Sequence, residues 1–360
     1  MPTIQSMNIG FLTSQTDARC ILSPTTLKKY EKDGFSVRVE KGLGEKIGVS
    51  FAEIEVDQQT VVQQSDIICT VSPPDAVNYK SAQKDAIFIS FYQPYMPEFS
   101  GEGYSGEDVS IFSLDMIPRS TLAQSMDALS AMASIGGYKA VLLAAQKLPR
   151  LFPMMMTASG AIRPANVLVL GAGVAGLQAI ATARKLGARV EAFDVRSAVR
   201  EEVKSLGAKF VEVEGAVEDK AAGGYAVEQT DDFKRKQKEV IAASVKKADV
   251  VITTAQIRGR KAPILVTEEM IKAMSPGSVI VDMASSTGGN CELIEDKMEV
   301  VKHGVLLIGD SELYLRALND ASDLLANIYY NFISLLKQDG EIKIDHEHPI
   351  LSSALIYPKK

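Results

Sequence analysis

The stretch VLVLGAGVAGLQAIATARKLGARVEAFDVR, Val167 to Arg196, constrains the fold more than any other part of the chain. A short apolar run meets GAGVAG, Gly171 to Gly176, which opens a helical pattern. A second apolar run then ends on Asp194. Gly171 permits a tight turn, Gly173 lets backbone approach a bulky anion, and Gly176 lets helix and strand pack closely. The helix start adds N–H groups and the positive end of its dipole. A lone G-x-G-x-x-G is a weak signal. With a strand before it, a helix after it and an acid ending the next strand, it reads as a dinucleotide site. Gly171, Ala172, Gly173, Val174, Ala175 and Gly176 would cradle a pyrophosphate. Asp194, with Val195 and Arg196 beside it, would accept hydrogen bonds from the adenosine ribose. A carboxylate there repels a 2′-phosphate, which selects NAD(H) over NADP(H), with Arg196 as a counter-signal. The competing reading is a relic of the fold that binds nothing, and the full strand–turn–helix–acid context weighs against it.

The rest of the chain repeats this rhythm. MNIGFL, FSVRVEKG, SDIICTVSPP, DAIFISFYQP and DVSIFSLDMIP read as strands alternating with helical patterns, of which SPTTLKKYEKDG is a capped helix ending at Gly34. A long helical stretch from about Ser120 to Leu148, interrupted at SIGGY, reads as a bridge. A second series follows: NVLVLG, RVEAFD, KFVEVE, ADVVITTA, SVIVDMA and GVLLIG. The expected fold class is therefore α/β, with two Rossmann-like doubly wound parallel-sheet domains. The outer domain is predicted over 1–126 and 321–360 and the nucleotide-binding domain over 127–320. The tail LYLRALNDASDLLANIYYNFISLLKQDG is expected to pack its apolar face on the outer domain. One segment breaks the pattern. AVEDKAAGGYAVEQTDDFKRKQKEVIAASV carries Gly224 and Tyr225 in a small, polar stretch, which on spacing reads as a solvated loop or as a lid.

Composition excludes several classes. A net charge of -6 argues against a nucleic-acid partner, because phosphate neutralisation needs clustered Lys and Arg. Cys20, Cys69 and Cys291 lie too far apart for a metal motif or a disulfide framework. The first residues lack the pattern of a signal peptide. No segment reads as the roughly 20 uninterrupted apolar residues of a membrane span.

A second constellation lies in IPRSTLAQSMDALSAMASIGGYKAV. Gln124, Asp127 and Ser130 recur at a spacing of three, which on one helix shares a face, and Arg119 precedes them. Such a face could hydrogen-bond a ribose and a carboxamide. Spacing alone supports a solvated helix face equally well.

Taken together, PRSTLAQSMDALSAMASIGGYKAV, VLGAGVAGLQAIATARKLGARVEAFDVR, GGYAVEQTDDF, ITTAQIRGRKAPILVTEEM and GSVIVDMASSTGGNCE resemble the NAD(H)-binding domain of proton-translocating nicotinamide nucleotide transhydrogenases. The resemblance is specific from about Met116 to Cys291. It implies a nucleotide cleft between the two domains and a homodimer. It also implies hydride transfer from NADH to NADP⁺ held on a separate NADP(H)-binding domain, coupled to proton movement by a membrane-spanning domain. Arg119, Gln124 and Asp127 are the implied catalytic residues, holding the nicotinamide and its ribose together with Ser130. Gly224 and Tyr225 would belong to a loop closing over the nucleotide, and Thr254 and Ala255 complete the cofactor-binding set. The implied place is peripheral, at the cytoplasmic face of the inner membrane, or the matrix face in a mitochondrion. Two stretches depart from the pattern: GFLTSQTDARCILSP after the first strand, and the tail, which lacks the expected proline and glutamine pattern.

Two other functions stay open. Alanine dehydrogenases share the fold but carry a cleft lysine and histidine; a loose alignment puts Thr70 and Tyr92 there. His303, His346 and His348 all lie near the C-terminus. Without such a group, carbonyl reduction lacks its acid–base partner, whereas hydride transfer between two nicotinamide rings needs none. The third function is a non-catalytic NAD(H) sensor.

Overall fold

A computed structural model describes residues 7–213 and 230–358. The chain forms two compact units, Met1–Ala131 with Ala317–Lys360, and Met132–Arg316. Each is built on a seven-stranded, mostly parallel sheet.

The first unit's sheet runs, in spatial order, Leu355–Tyr357, Val109–Ser113, Ala86–Ser90, Ile67–Cys69, Met7–Phe11, Phe35–Glu40 and Glu55–Val56. All neighbours are parallel except Leu355–Tyr357 on Val109–Ser113. The helix after the first strand, Pro24–Lys32, begins as its sequence dictates. Ser23 accepts from the Thr26 N–H, Thr26 reaches back to the Ser23 N–H, and Pro24 takes the first turn. The tail helix Leu318–Ser334 buries Leu325, Tyr329, Phe332 and Ile333 in the same core as Ile9, Phe11 and Tyr30. Each such side chain contributes about 1.5–3 kcal/mol. The Tyr329 hydroxyl donates to the Thr70 carbonyl at 2.6 Å, which satisfies its only buried polar atom.

The second unit's sheet runs Lys209–Phe210, Arg189–Phe193, Asn166–Leu170, Val250–Thr253, Val279–Asp282, Val305–Gly309 and Glu299–Lys302, with only the last pair antiparallel. The order reverses between Asn166–Leu170 and Val250–Thr253, the switch point of a doubly wound sheet. Period-two alternation sends Val167 and Val169 to one face and Leu168 and Leu170 to the other. Helix Val174–Lys185 covers the first face with Ala179, Ile180 and Ala183, and Phe233, Ile241 and Val245 of helix Asp231–Val245 cover the second.

Three expectations are corrected, and one helix bears on a fourth. The stretch at SIGGY does not interrupt a helix, because Ala128–Lys147 is continuous. Its glycines are contacts: a Cβ on Gly137 would lie 2.1 Å from the Ala175 carbonyl oxygen, and one on Gly136 2.7 Å from Met283. Gln124, Asp127 and Ser130 do not share one helical face. Gln124 lies on a 3₁₀ helix, Thr121–Met126, and Asp127 breaks it with ψ 86°. No helix joins Ala86–Ser90 to Val109–Ser113; the crossover is irregular, and its Gly106 N–H donates to the Tyr357 hydroxyl at 3.0 Å. Finally, Ala128–Lys147 is long and apolar enough to cross a membrane by length and composition. Its Ala140, Val141 and Ala144 are instead fully buried in the core of the second unit.

Candidate nucleotide site

The fingerprint turn lies at the carboxyl end of Asn166–Leu170, beside the switch point. Gly171 has φ 100°, in the left-handed region that a side chain would strain. Its N–H donates to the Phe193 carbonyl at 2.9 Å, and its own carbonyl accepts from Thr254 Oγ1 at 3.0 Å. Gly176 packs so closely on this turn that a Cβ would sit 1.8 Å from the Gly171 oxygen. Gly173 is different. The nearest atom to an added Cβ is a nitrogen of the Arg196 side chain at 3.9 Å, an ordinary contact distance, so no backbone crowds it. Gly173 is also the N-cap of helix Val174–Lys185, and no side chain caps that helix. The first N–H groups, from Val174 and Ala175 onward, are therefore left for an anion, with the Arg196 side chain beside them.

Asp194 follows the neighbouring strand, Arg189–Phe193, as its position in the sequence predicts. Its carboxylate accepts from the Ala172 N–H at 2.7 Å and the Arg196 N–H at 2.9 Å. The Arg196 guanidinium adds a two-pronged contact, Nε to Oδ1 at 2.9 Å and Nη2 to Oδ2 at 2.8 Å. Hydrogen bonding to Asp194 holds the Arg196 pKa above its ordinary value. The arginine read as a counter-signal thus lies against the carboxylate. A ribose reaching Asp194 shares it with Arg196 or displaces that side chain. Val195 packs against the core on one face of the sheet.

On the other side of the fingerprint strand, Thr254 N–H donates to the Leu170 carbonyl at 2.9 Å. Both main-chain polar atoms of Ala255 are engaged by the side chain of Asn290. Ala255 thus offers a ligand its shape and not its N–H. In the sequence, GSVIVDMASSTGGNCE stands out only through the family resemblance, and nothing singles out Asn290 except the Gly288–Gly289 pair before it.

Arg119, Gln124, Asp127 and Ser130 belong to the first unit. Arg119 and Gln124 are exposed, Asp127 and Ser130 half-buried. Asp127 directly precedes helix Ala128–Lys147 and accepts from the Ser130 N–H at 2.9 Å and the Ser130 hydroxyl at 2.6 Å. It is a helix cap as well as a candidate ligand. Gly224 and Tyr225 lie outside the described residues. Thr70 is buried, and Tyr92 is buried with its hydroxyl 3.0 Å from that of Tyr79. Neither supplies a proton donor of histidine type. His303 Nε2 lies 2.8 Å from Glu268 Oε1 at the surface.

Known proteins bear on this arrangement. Residues 13–136 match the family model described as alanine dehydrogenase/PNT, N-terminal domain, and residues 140–359 match the alanine dehydrogenase/PNT, C-terminal domain. The chain is 39% identical over 347 residues to the first part of NAD(P) transhydrogenase subunit alpha in Rickettsia prowazekii, covering 92% of this chain and 90% of that one. A solved transhydrogenase from Sinorhizobium meliloti superposes with a TM-score of 0.85 at 37% identity, covering 96% of this chain and 97% of that one. An L-alanine dehydrogenase superposes with a TM-score of 0.77 at 20% identity, covering 97% and 94%, which speaks to the fold alone.

Proposed function

The chain belongs to the alanine dehydrogenase/PNT family, and from that premise we propose that it is the NAD(H)-binding domain I of a proton-translocating transhydrogenase. In this role it passes hydride from NADH to NADP⁺ held on a separate domain. One observation carries the reading: an uncapped helix start at Gly173, uncrowded by backbone, with Asp194 one strand away. Identity to transhydrogenase alpha subunits over most of both chains supports it.

The bound nicotinamide supplies the hydride, and the protein's own residues position it. The helix start takes the pyrophosphate, and Asp194 takes the adenosine ribose. Arg119, Gln124, Asp127 and Ser130 hold the nicotinamide and its ribose. Hydride transfer between two such rings needs donor and acceptor carbons at about 3–3.5 Å with water excluded, and no proton relay. A site of amide, hydroxyl and guanidinium groups, with the Asp127 carboxylate engaged by Ser130, suits that. The partners are the NADP(H)-binding domain, a membrane-spanning domain and a second copy of this chain. The hairpin Met155–Thr157 with Gly160–Ile162 exposes Met154, Met155, Met156 and Ile162, an apolar surface for that second copy. The chain would stand at the cytoplasmic face of the inner membrane, or at the matrix face in a mitochondrion.

The purified chain is expected to bind one NADH per protomer and to sediment at about twice its 38.9 kDa. It should oxidise no NADH with pyruvate and ammonia, and should reduce an NADP⁺ analogue only once an NADP(H)-binding domain is added. Pyruvate-dependent oxidation by the chain alone would overturn this in favour of an alanine dehydrogenase. Binding without transfer to either acceptor would favour a sensor. Asp194→Ala should weaken NADH binding by about 1–3 kcal/mol, the scale for hydrogen bonds to a charged group, and narrow the gap to NADPH. An unchanged preference in equilibrium titrations would remove Asp194 from the site.

A further inference from the structure

The turn Gly288–Gly289 delivers Asn290 into the interior, where its side chain has no exposure. Both glycines are left-handed, at φ 98° and 76°. Side-chain Oδ1 accepts from the Ala255 N–H at 2.9 Å. Nδ2 donates to the Ala255 carbonyl and to the Pro263 carbonyl, each at 2.8 Å. The main chain of Asn290 is held just as firmly. Its N–H donates to Asp282 Oδ2 at 2.6 Å, and its carbonyl accepts from the Leu265 and Val266 N–H groups at 2.7 and 3.0 Å. Asp282 is itself fully buried. Burial pushes its pKa up, and the N–H groups of Ala284, Asn290 and Cys291 oppose that shift.

We propose that Asn290 is a positioning residue for the nicotinamide half of the dinucleotide, acting by fixing the main chain of Ala255. The proposal rests on the NAD(H) reading above. Its argument is placement. Asp194 directly follows the strand on one side of Asn166–Leu170, and Thr253 ends the strand on the other. Neighbouring strands lie about 4.8 Å apart, so the two ends are separated by about 10 Å. A dinucleotide with its adenosine at Asp194 and its pyrophosphate at the helix start continues past Thr254 and Ala255, across the switch point. Asn290 therefore holds a wall along which only the second half of the ligand runs.

A residue that only stabilised the unit would weaken every ligand of this site alike, whereas a positioning residue separates them. The test titrates NADH and 5′-AMP against the full chain, Asn290→Ala, Asn290→Ser and a control, Asp249→Asn. Asp249 is buried at the opposite end of the same sheet, where it accepts from the Asn166 N–H at 2.8 Å. Both Asn290 variants should bind NADH about tenfold or more weakly and 5′-AMP within about twofold of the wild type, while Asp249→Asn leaves the ratio unchanged. On the unaltered chain, hydrogen exchange at the Ala255 amide should slow with NADH and not with 5′-AMP; this readout needs no variant to fold. An unchanged ratio in the variants, or equal exchange with both ligands, would overturn the positioning role alone. A wild-type chain that binds no NADH would overturn it together with the reading it rests on.

Discussion

Gly176→Ala is expected to lower the melting temperature by about 6–12 °C and to weaken NADH binding at least about tenfold. The new Cβ would stand 1.8 Å from the Gly171 oxygen and 2.8 Å from its carbonyl carbon. Neither atom can yield cheaply. The Gly171 N–H is tied to Phe193, its carbonyl accepts from Thr254, and the residue's φ is 100°. Overpacking against such a fixed target costs about 3 kcal/mol, and a unit of this size loses about 2–4 °C per kcal/mol. The turn must open, and it carries Gly173 with it. Gly173→Ala makes the informative contrast. Its φ of -78° suits any residue, and its Cβ would meet nothing nearer than 3.9 Å. It should melt with the wild type and still lose NADH affinity, because the methyl group occupies the space assigned to the pyrophosphate. Wild-type NADH affinity in Gly173→Ala would remove the fingerprint from the site. Wild-type melting in Gly176→Ala would contradict the packing geometry.

Those two glycines show why the strand–turn–helix geometry was legible in the sequence. Each has a backbone reason that depends only on its immediate neighbours, so the spacing carries the geometry. Where the reason is tertiary, sequence reading failed. Gly136 and Gly137 look the same whether they break a helix or admit a neighbour, and it is the Ala175 carbonyl, 38 residues on from Gly137, that decides. Asp127 occupies a helical spacing yet serves as a cap, because its side chain finds the Ser130 N–H in the turn it begins. The long strands with continuous apolar runs, such as Ala86–Ser90 and Asn166–Leu170, stood out because both faces are buried. The edge strand Glu55–Val56 did not. Two residues carry no period, and only pairing with Val39 and Glu40 makes them a strand. The same holds for the site. The place of Asp194 after a strand was legible, but its contact with Arg196 and that of Asn290 with Ala255 depend on side chains meeting in space.

The catalytic assignment is tested most sharply at Gln124. Its side chain is exposed and makes no hydrogen bond among the described residues, so Gln124→Ala removes no support from the fold. With an added NADP(H)-binding domain, the variant should keep NADH affinity within about threefold and transfer hydride about 10²-fold more slowly. The reason is that a ring misplaced by about 1 Å leaves the near-attack geometry while phosphate and adenine contacts persist. Asp127 needs a more careful substitution, because it caps helix Ala128–Lys147 through Ser130. Asp127→Ala would lose about 0.5–2 kcal/mol of helix stability and blur the result, whereas asparagine caps about as well as aspartate. Asp127→Asn should therefore melt like the wild type, and any slower transfer then belongs to the lost carboxylate rather than to a frayed helix. Transfer at the wild-type rate in Gln124→Ala would take that residue out of the nicotinamide site and leave Arg119, Asp127 and Ser130 to orient the ring.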